Sequence, residues 1–469
     1  MGGLLDDDRL FPLDGAARRL ARELFAGVRN LPIVSPHGHT DPRWYAENER
    51  FADPSQLLVV PDHYVFRMLF SQGVPLEKLG VPRADGGPVE TDPRAIWRTF
   101  AAHYHLFRGT PTRLWLDHTF STLFDLEDPL GAATADLYYD RIADRIARDD
   151  YRPRALFERF GIEVIATTEG ALDDLKWHRM TRESGWKGRV VTTYRPDSVV
   201  DPEFEGFAAN LKAFGEITAC DTGTWRGYLD AHRKRRAFFK DHGATASDHG
   251  HPTAETANLP QAEAEALFAR VVKGGASATD SAMFRAQMLT EMARMSLDDG
   301  LVMQIHPGSW RNHSAGVFAS FGRDKGFDIP RPTDYVAALK PLLDAVGLEP
   351  GLTVIVFTLD ESAYSRELAP LAGVYPALKL GPAWWFFDSP AGIRRFREMT
   401  TETAGFYNTV GFNDDTRAFP SIPARHDVAR RTDCGFLAEM VVRGQLREEE
   451  ASEVSADLAY GLARKAYRL

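Results

Sequence analysis

Eight short runs of β-branched or apolar residues, each closing on polar residues and followed by a stretch of helical character, constrain the fold of this chain most. They lie at 31–35, 162–167, 189–193, 244–247, 301–305, 353–358, 377–380 and 409–412. Apolar runs of this length alternating with helices are the signature of buried parallel strands. Eight such units close a (β/α)8 barrel, whereas an open doubly wound sheet can stop at another number. The predicted fold class is therefore α/β, a TIM-like (β/α)8 barrel. The first two runs are unusually far apart. The sequence between them is rich in helix-compatible stretches such as AIWRTFAAHYHLF and TADLYYDRIADRIARDDY, divided by prolines. It reads as a large helical insertion after strand one. The expected organisation is an N-terminal segment with the first strand over 1–39, the insertion over 40–160, and the rest of the barrel over 161–469. Proline and glycine breaks divide 250–275, which is expected to carry a helix between strands four and five.

A chain of 469 residues, 44% of them hydrophobic, can bury a core of that size. Lys and Arg number 56 against 66 Asp and Glu, a net charge of -10, and no long basic tract could follow a phosphate backbone. Nucleic acid is not an expected partner. Cys220 and Cys434 lie too far apart for a thiolate metal site and are too few for a disulfide scaffold, which suits a reducing cytoplasm. The start, MGGLLDDDRLF, has aspartates where a secretory signal carries positive charge, and Asp6 stands where N-myristoylation prefers Ser or Thr. No segment approaches the roughly 18 apolar residues of a membrane span. The expected protein is cytoplasmic, without a membrane partner.

The motif SPHGHTDP follows the first run. In extended chain His37 and His39 project to the same side, so two imidazoles can address one metal at the barrel end where active sites gather. After the eighth run, GFNDDTRAFPSIPARHD supplies Asp414, Asp415 and Arg417, and a carboxylate there could face the histidines across the mouth or cap the next helix. Arg195 in YRPD, Arg311 in SWRNHS and Arg417 in DDTR stand at three run ends. A planar guanidinium holds a carboxylate through two parallel hydrogen bonds, so three of them favour an anionic substrate, although each alone can be a structural ion-pair partner.

The order His-x-His first and Asp last resembles the amidohydrolase superfamily. PDHYVFRMLFSQGV, TTYRPD, SDHG, QIHPGSWRNHS, GPAWWF and NDDTRAF, with HGH, occur in the order found in uronate isomerases and extend the resemblance from His37 to beyond Arg417. The resemblance implies an aldose–ketose isomerase acting on a hexuronate: D-glucuronate to D-fructuronate, and D-galacturonate to D-tagaturonate. It also implies a metal on His37 and His39, with Asp415 as ligand or acid/base and His306 as a further donor. Zinc suits such donors, and manganese, cobalt or iron could bind them too. No lysine stands in ATASDHGH to bridge a second ion, so one divalent metal is expected. His63, Tyr64, Asp248 and Trp384 join the site by resemblance, with Trp384 in the site and Trp385 in its wall. The implied chemistry is a cis-enediol proton transfer in which Tyr64 or Asp415 shuttles the C2 proton. His37 or Asp415 assists ring opening, and the arginines, Arg417 among them, neutralise the carboxylate or enediolate. A mononuclear hydrolase and a noncatalytic uronate-binding protein are the alternatives. A homo-oligomer is compatible with a barrel of this kind.

Overall fold

The computed structural model describes residues 3–469; Met1 and Gly2, on which the N-terminal acylation expectation bears, lie outside the described residues. In chain order the strands are β1 Ile33–Ser35, β2 Ile162–Gly170, β3 Arg189–Arg195, β4 Ala246–His249, β5 Val302–Ile305, β6 Ser309–Trp310, β7 Ile329–Pro330, β8 Val354–Val356 and β9 Leu378–Leu380. Seven of them form one parallel sheet in the order β1-β2-β3-β4-β5-β8-β9, curled as a TIM-like barrel requires. Strands β6 and β7 were not anticipated. They pair antiparallel, Ser309 with Pro330 and Trp310 with Ile329, and hold the loop after β5 above the barrel mouth.

The eighth expected strand, 409–412, is reduced to a single parallel bridge between Leu380 and Thr409. Two causes are visible. Gly411 has a φ of 79°, outside the extended region, and a Cβ there would stand 2.9 Å from the Leu458 carbonyl oxygen. The buried guanidinium of Arg397 also reaches Thr409 Oγ1 and the Gly411 carbonyl, and the carbonyl is a group a ladder would otherwise use. The segment still returns to β1, because His39 N–H donates to the Thr416 carbonyl at 3.1 Å. At the other boundary, Arg430 takes the carbonyls of Leu31 and Pro32, each at 3.0 Å, so β1 begins two residues later than expected.

Between β1 and β2 the elements are helices. Its prolines start them: Asp41, Asp53, Asp92 and Thr110 each precede a proline at the first helical position, and each side chain accepts a backbone N–H of the first turn. Trp97, Phe100, Tyr104, Phe120, Phe124 and Tyr138 bury one face of these helices together and join Ile33, Ile162 and Ile165 of the sheet. Fully burying such a side chain stabilises the fold by about 1.5–3 kcal/mol. Two helices, Gln261–Val272 and Ala278–Asp299, occupy the connection from β4 to β5. Met288, Met292, Leu339 and Leu342 pack on the outer faces of β5 and β8, while Ala246, Val302, Ile355 and Val410 fill the barrel interior. Among the described residues no helix is long and apolar enough to cross a membrane.

Candidate active site

The strands end at one mouth, and chemistry-bearing side chains collect there. Past the end of β1, His37 and His39 turn their rings edge to face, centroids 5.3 Å apart. Asp415 enters from the broken eighth segment, its φ of 35° turning the carboxylate toward them. Its Oδ1 stands 3.8 Å from His37 Nε2 and 3.4 Å from His39 Nε2. Its Oδ2 accepts the indole N–H of Trp384. Asp414, one residue earlier, is fully committed elsewhere: it accepts the Ser35 hydroxyl at 3.0 Å and lies 3.0 Å from His426 Nε2.

His37, His39 and Asp415 are a group that can hold a metal ion, with one donor atom from each within 4.8 Å of the others. Their chemistry fits a divalent cation. Burial pushes the His39 imidazole down to about 3, so it is neutral near pH 7. Burial acts to raise the Asp415 carboxyl, but His39, His37 and the Trp384 N–H outweigh it and hold the group below its ordinary value. A neutral imidazole and an ionised carboxylate are the states a metal requires. The buried Oδ1 of Asp415 accepts no hydrogen bond, leaving a lone pair for an ion.

His306 lies close by but is differently engaged, its Nε2 standing 2.9 Å from Asp248 Oδ1. Trp384 packs against its ring at 5.4 Å. Asp248 has no exposed surface; burial would raise its carboxyl, but His306, His37 and Arg195 hold it well below the carboxylate range. It lies beneath the cavity rather than on its wall. Arg195 Nη1 is 3.6 Å from Asp248 and its Nε donates to Asp197 at 2.8 Å. Arg311 donates to Asp328 at 3.2 Å and lies over the Trp385 ring. Arg417 is the exception: among the described residues no carboxylate lies within ion-pair distance of it, and it lines the same cavity as His37, His39 and Asp415.

The helices between β1 and β2 bring two further side chains to the cavity. His63 and Tyr64 begin the helix His63–Phe70, which Asp62 caps by accepting the Tyr64 N–H at 2.8 Å. The Tyr64 hydroxyl donates to the Trp385 carbonyl at 3.2 Å, and burial pushes its phenol above the ordinary value although Arg425, 5.3 Å from the ring, partly opposes this. His63 is pushed well below its ordinary value by burial, and its Nδ1 has no partner. Both tryptophans line the cavity, so Trp385 is not confined to the wall. Its φ of 52° breaks the extended geometry on which side-chain alternation depends.

The cavity, of about 70 Å³, thus brings together His37, His39, His63, Tyr64, Arg195, His306, Arg311, Trp384, Asp415 and Arg417. Sequence reasoning missed Arg425, whose guanidinium stacks on Trp115 at 3.6 Å and donates to Asp388 at 2.6 Å behind Tyr64. It stands within the GFNDDTRAFPSIPARHD motif, but its helical position carried no sign that it faces inward. Asp388 stands two residues past GPAWWF and is pushed up to about 7 by burial, with Arg425 opposing.

The glucuronate isomerase family model matches residues 9–467 of the chain. The chain is 73% identical to a uronate isomerase of Mesorhizobium japonicum and 71% identical to one of Rhizobium meliloti, over the full length of each protein. The crystal structure of a glucuronate isomerase from Caulobacter crescentus superposes with a TM-score of 0.98 at 60% identity, covering 99% of this chain and 97% of that one.

Proposed function

The chain belongs to the glucuronate isomerase family and is a uronate isomerase, and from that premise we propose that it converts D-glucuronate to D-fructuronate, and D-galacturonate to D-tagaturonate, through a cis-enediol. What carries this reading is the convergence, in one cavity, of a metal-capable His37, His39 and Asp415 with the unpaired guanidinium of Arg417. When bound, a single divalent metal, zinc by the match of its donors, supplies a Lewis-acid contact for substrate oxygens.

Arg417 makes no close ion pair with a protein carboxylate, only a longer-range attraction to Asp324, and takes the carboxylate of the substrate, with Arg195 and Arg311 completing the positive wall. The ionised Asp415 takes the proton of the anomeric hydroxyl and gives it to the ring oxygen as the C1–O5 bond breaks, which leaves the carboxylate ionised for the next step. In the open-chain aldose Asp415 then takes the C2 proton, while Tyr64, kept protonated by burial, gives its hydroxyl proton to the C1 oxygen. The enediol collapses in reverse sense: tyrosinate recovers the proton of the C2 hydroxyl, and Asp415 returns its proton to C1 on the same face. Both groups end as they began. Arg425 behind the Tyr64 ring offsets the transient phenolate. Trp384 orients Asp415 through its N–H and covers the sugar with its ring. His63 and His306 hold the remaining hydroxyls, and Asp248 steadies the arginine wall from beneath the cavity.

Residues 40–160 are read as an insertion that covers the mouth and delivers His63 and Tyr64. A reducing cytoplasm is the proposed location, supported by two free cysteines.

The test is turnover of D-glucuronate and D-galacturonate, each followed by NMR, with Asp415→Asn beside the parent. Ketose from either acid, abolished by the substitution, supports the assignment. A variant with parent activity removes Asp415 from the chemistry.

A further inference from the structure

Gln304 is a polar side chain inside the barrel with no exposed surface, sharing the inward face of β5 with Val302 and His306. A buried carboxamide without partners costs about 1–3 kcal/mol, so the destination of its hydrogen bonds is informative. It has two neighbours of opposite origin. The hydroxyl of Tyr467 donates to its Oε1 at 3.1 Å, and its Nε2 lies 3.4 Å from Nδ1 of His37. Tyr467 follows the helix Leu462–Ala466 and is itself fully buried, its ring packed among Ala246, Val302, Ile355 and Val410 at the end of the barrel opposite the mouth. A continuous chain of polar contacts thus runs up the barrel axis to one nitrogen of His37, while the other nitrogen faces Asp415.

We propose that Tyr467 is a positioning residue for metal binding, holding the Gln304 carboxamide against Nδ1 of His37 in either orientation and so fixing the place of the ring. The proposal rests on the reading that His37 is a metal ligand. An imidazole offers Nε2 to a metal only when its proton sits on Nδ1 and the group beyond accepts that proton. With its oxygen turned to Nδ1, Gln304 accepts, and its NH2 donates to the Tyr467 oxygen. In the orientation of the structure Tyr467 donates to the oxygen and the NH2 faces Nδ1, which leaves the proton on Nε2, so metal binding requires the carboxamide to turn over. The phenol serves as acceptor in one arrangement and donor in the other. A phenylalanine can do neither, and the metal-ready arrangement would then contain an unpaired buried N–H.

The experiment measures zinc affinity of the full-length protein by competition with a chelating dye, together with thermal unfolding in chelator. It compares the parent with Tyr467→Phe, Gln304→Leu, Gln304→Glu and His37→Ala. Tyr467→Phe and Gln304→Leu are expected to bind zinc about 10-fold or more weakly, the usual loss when the group behind a ligating histidine is removed. Gln304→Glu, whose carboxylate accepts the Nδ1 proton, keeps parent affinity or exceeds it, and the unfolding midpoint of Tyr467→Phe in chelator stays within a few degrees of the parent. Parent affinity in Tyr467→Phe, or equal losses in Gln304→Leu and Gln304→Glu, would mark the contact as packing and overturn the proposal. If Tyr467→Phe does not fold, the Leu and Glu variants of Gln304 decide. His37→Ala separates the two readings: full zinc binding there refutes His37 as a ligand, whereas its loss alongside an unaffected Tyr467→Phe refutes only the role of Tyr467.

Discussion

Gly250, the residue after β4, is where the arginine wall is most sensitive to a single methyl group. Its backbone lies outside the left-handed region, so alanine meets no conformational penalty there. The penalty is steric. A Cβ would stand 2.6 Å from Arg195 Nη2, 2.8 Å from His306 Cε1 and 2.9 Å from Asp197 Oδ2. Restoring an ordinary contact of 3.4 Å requires Arg195 alone to retreat by about 0.8 Å. It cannot do so freely, because Asp197 holds its Nε at 2.8 Å and itself accepts the Gly250 N–H at 3.2 Å. Overpacking of this kind costs about 1–3 kcal/mol in stability. A displacement approaching 1 Å at a substrate-positioning group costs on the order of 100-fold in rate, or about 2.7 kcal/mol of transition-state stabilisation. The expected result for Gly250→Ala is therefore kcat/KM down about 100-fold on either uronate, in a protein that still unfolds cooperatively. Initial rates by NMR and a thermal melt measure both quantities. A variant within two-fold of the parent would show that neither Arg195 nor His306 needs its observed position, and the geometric argument for the wall would fail.

Arg417→Met should lower kcat/KM by roughly 10- to 100-fold, the worth of a charge-assisted pair, mainly through KM, with Arg417→Lys recovering only part because it cannot bind a carboxylate in parallel; equal KM values for parent and Met variant would sink the assignment. Glu169 is buried beside Thr192 and 3.6 Å from His178, and burial pushes its carboxyl up to about 8. The folded state therefore holds a proton that the unfolded chain releases at its ordinary value of 4.5, so this group's contribution is fully present below about 4.5 and is lost as pH rises toward 8. Glu169→Gln should flatten the decline in unfolding free energy between pH 5 and pH 8 by a few kcal/mol, as read from urea titrations, and parallel slopes for the two proteins would refute it.

The barrel was legible because its signals are local. Short apolar runs ending in polar residues mark strands wherever they occur, and seven of the eight appear in the parallel sheet. The eighth failed for a reason no local pattern carries: the positive φ of Gly411 and the guanidinium of Arg397, which belongs to the preceding helix Pro390–Ala404. The proline-rich stretch between β1 and β2 was readable as helical, and its Asp-Pro pairs proved to be starts rather than mere breaks.

At the site, period-two alternation alone placed His37 and His39 on one side of an extended chain, and strand-end positions alone drew attention to Arg195, Arg311 and Arg417. Tertiary structure decided what each does. Asp414 and Asp415 are the same residue type in adjacent positions, yet one ties β1 to a helix and the other faces the imidazoles. The difference is a backbone turn at φ 35° together with a tryptophan donor 31 residues away in the chain. Likewise Arg311 is partnered and Arg417 is not, a distinction set by where the β6–β7 ribbon carries Asp328. Residue type and spacing determine which chemistry is available, because they act through the neighbouring backbone. Which group is left without a partner depends on contacts across hundreds of residues, and those exist only once the barrel has closed.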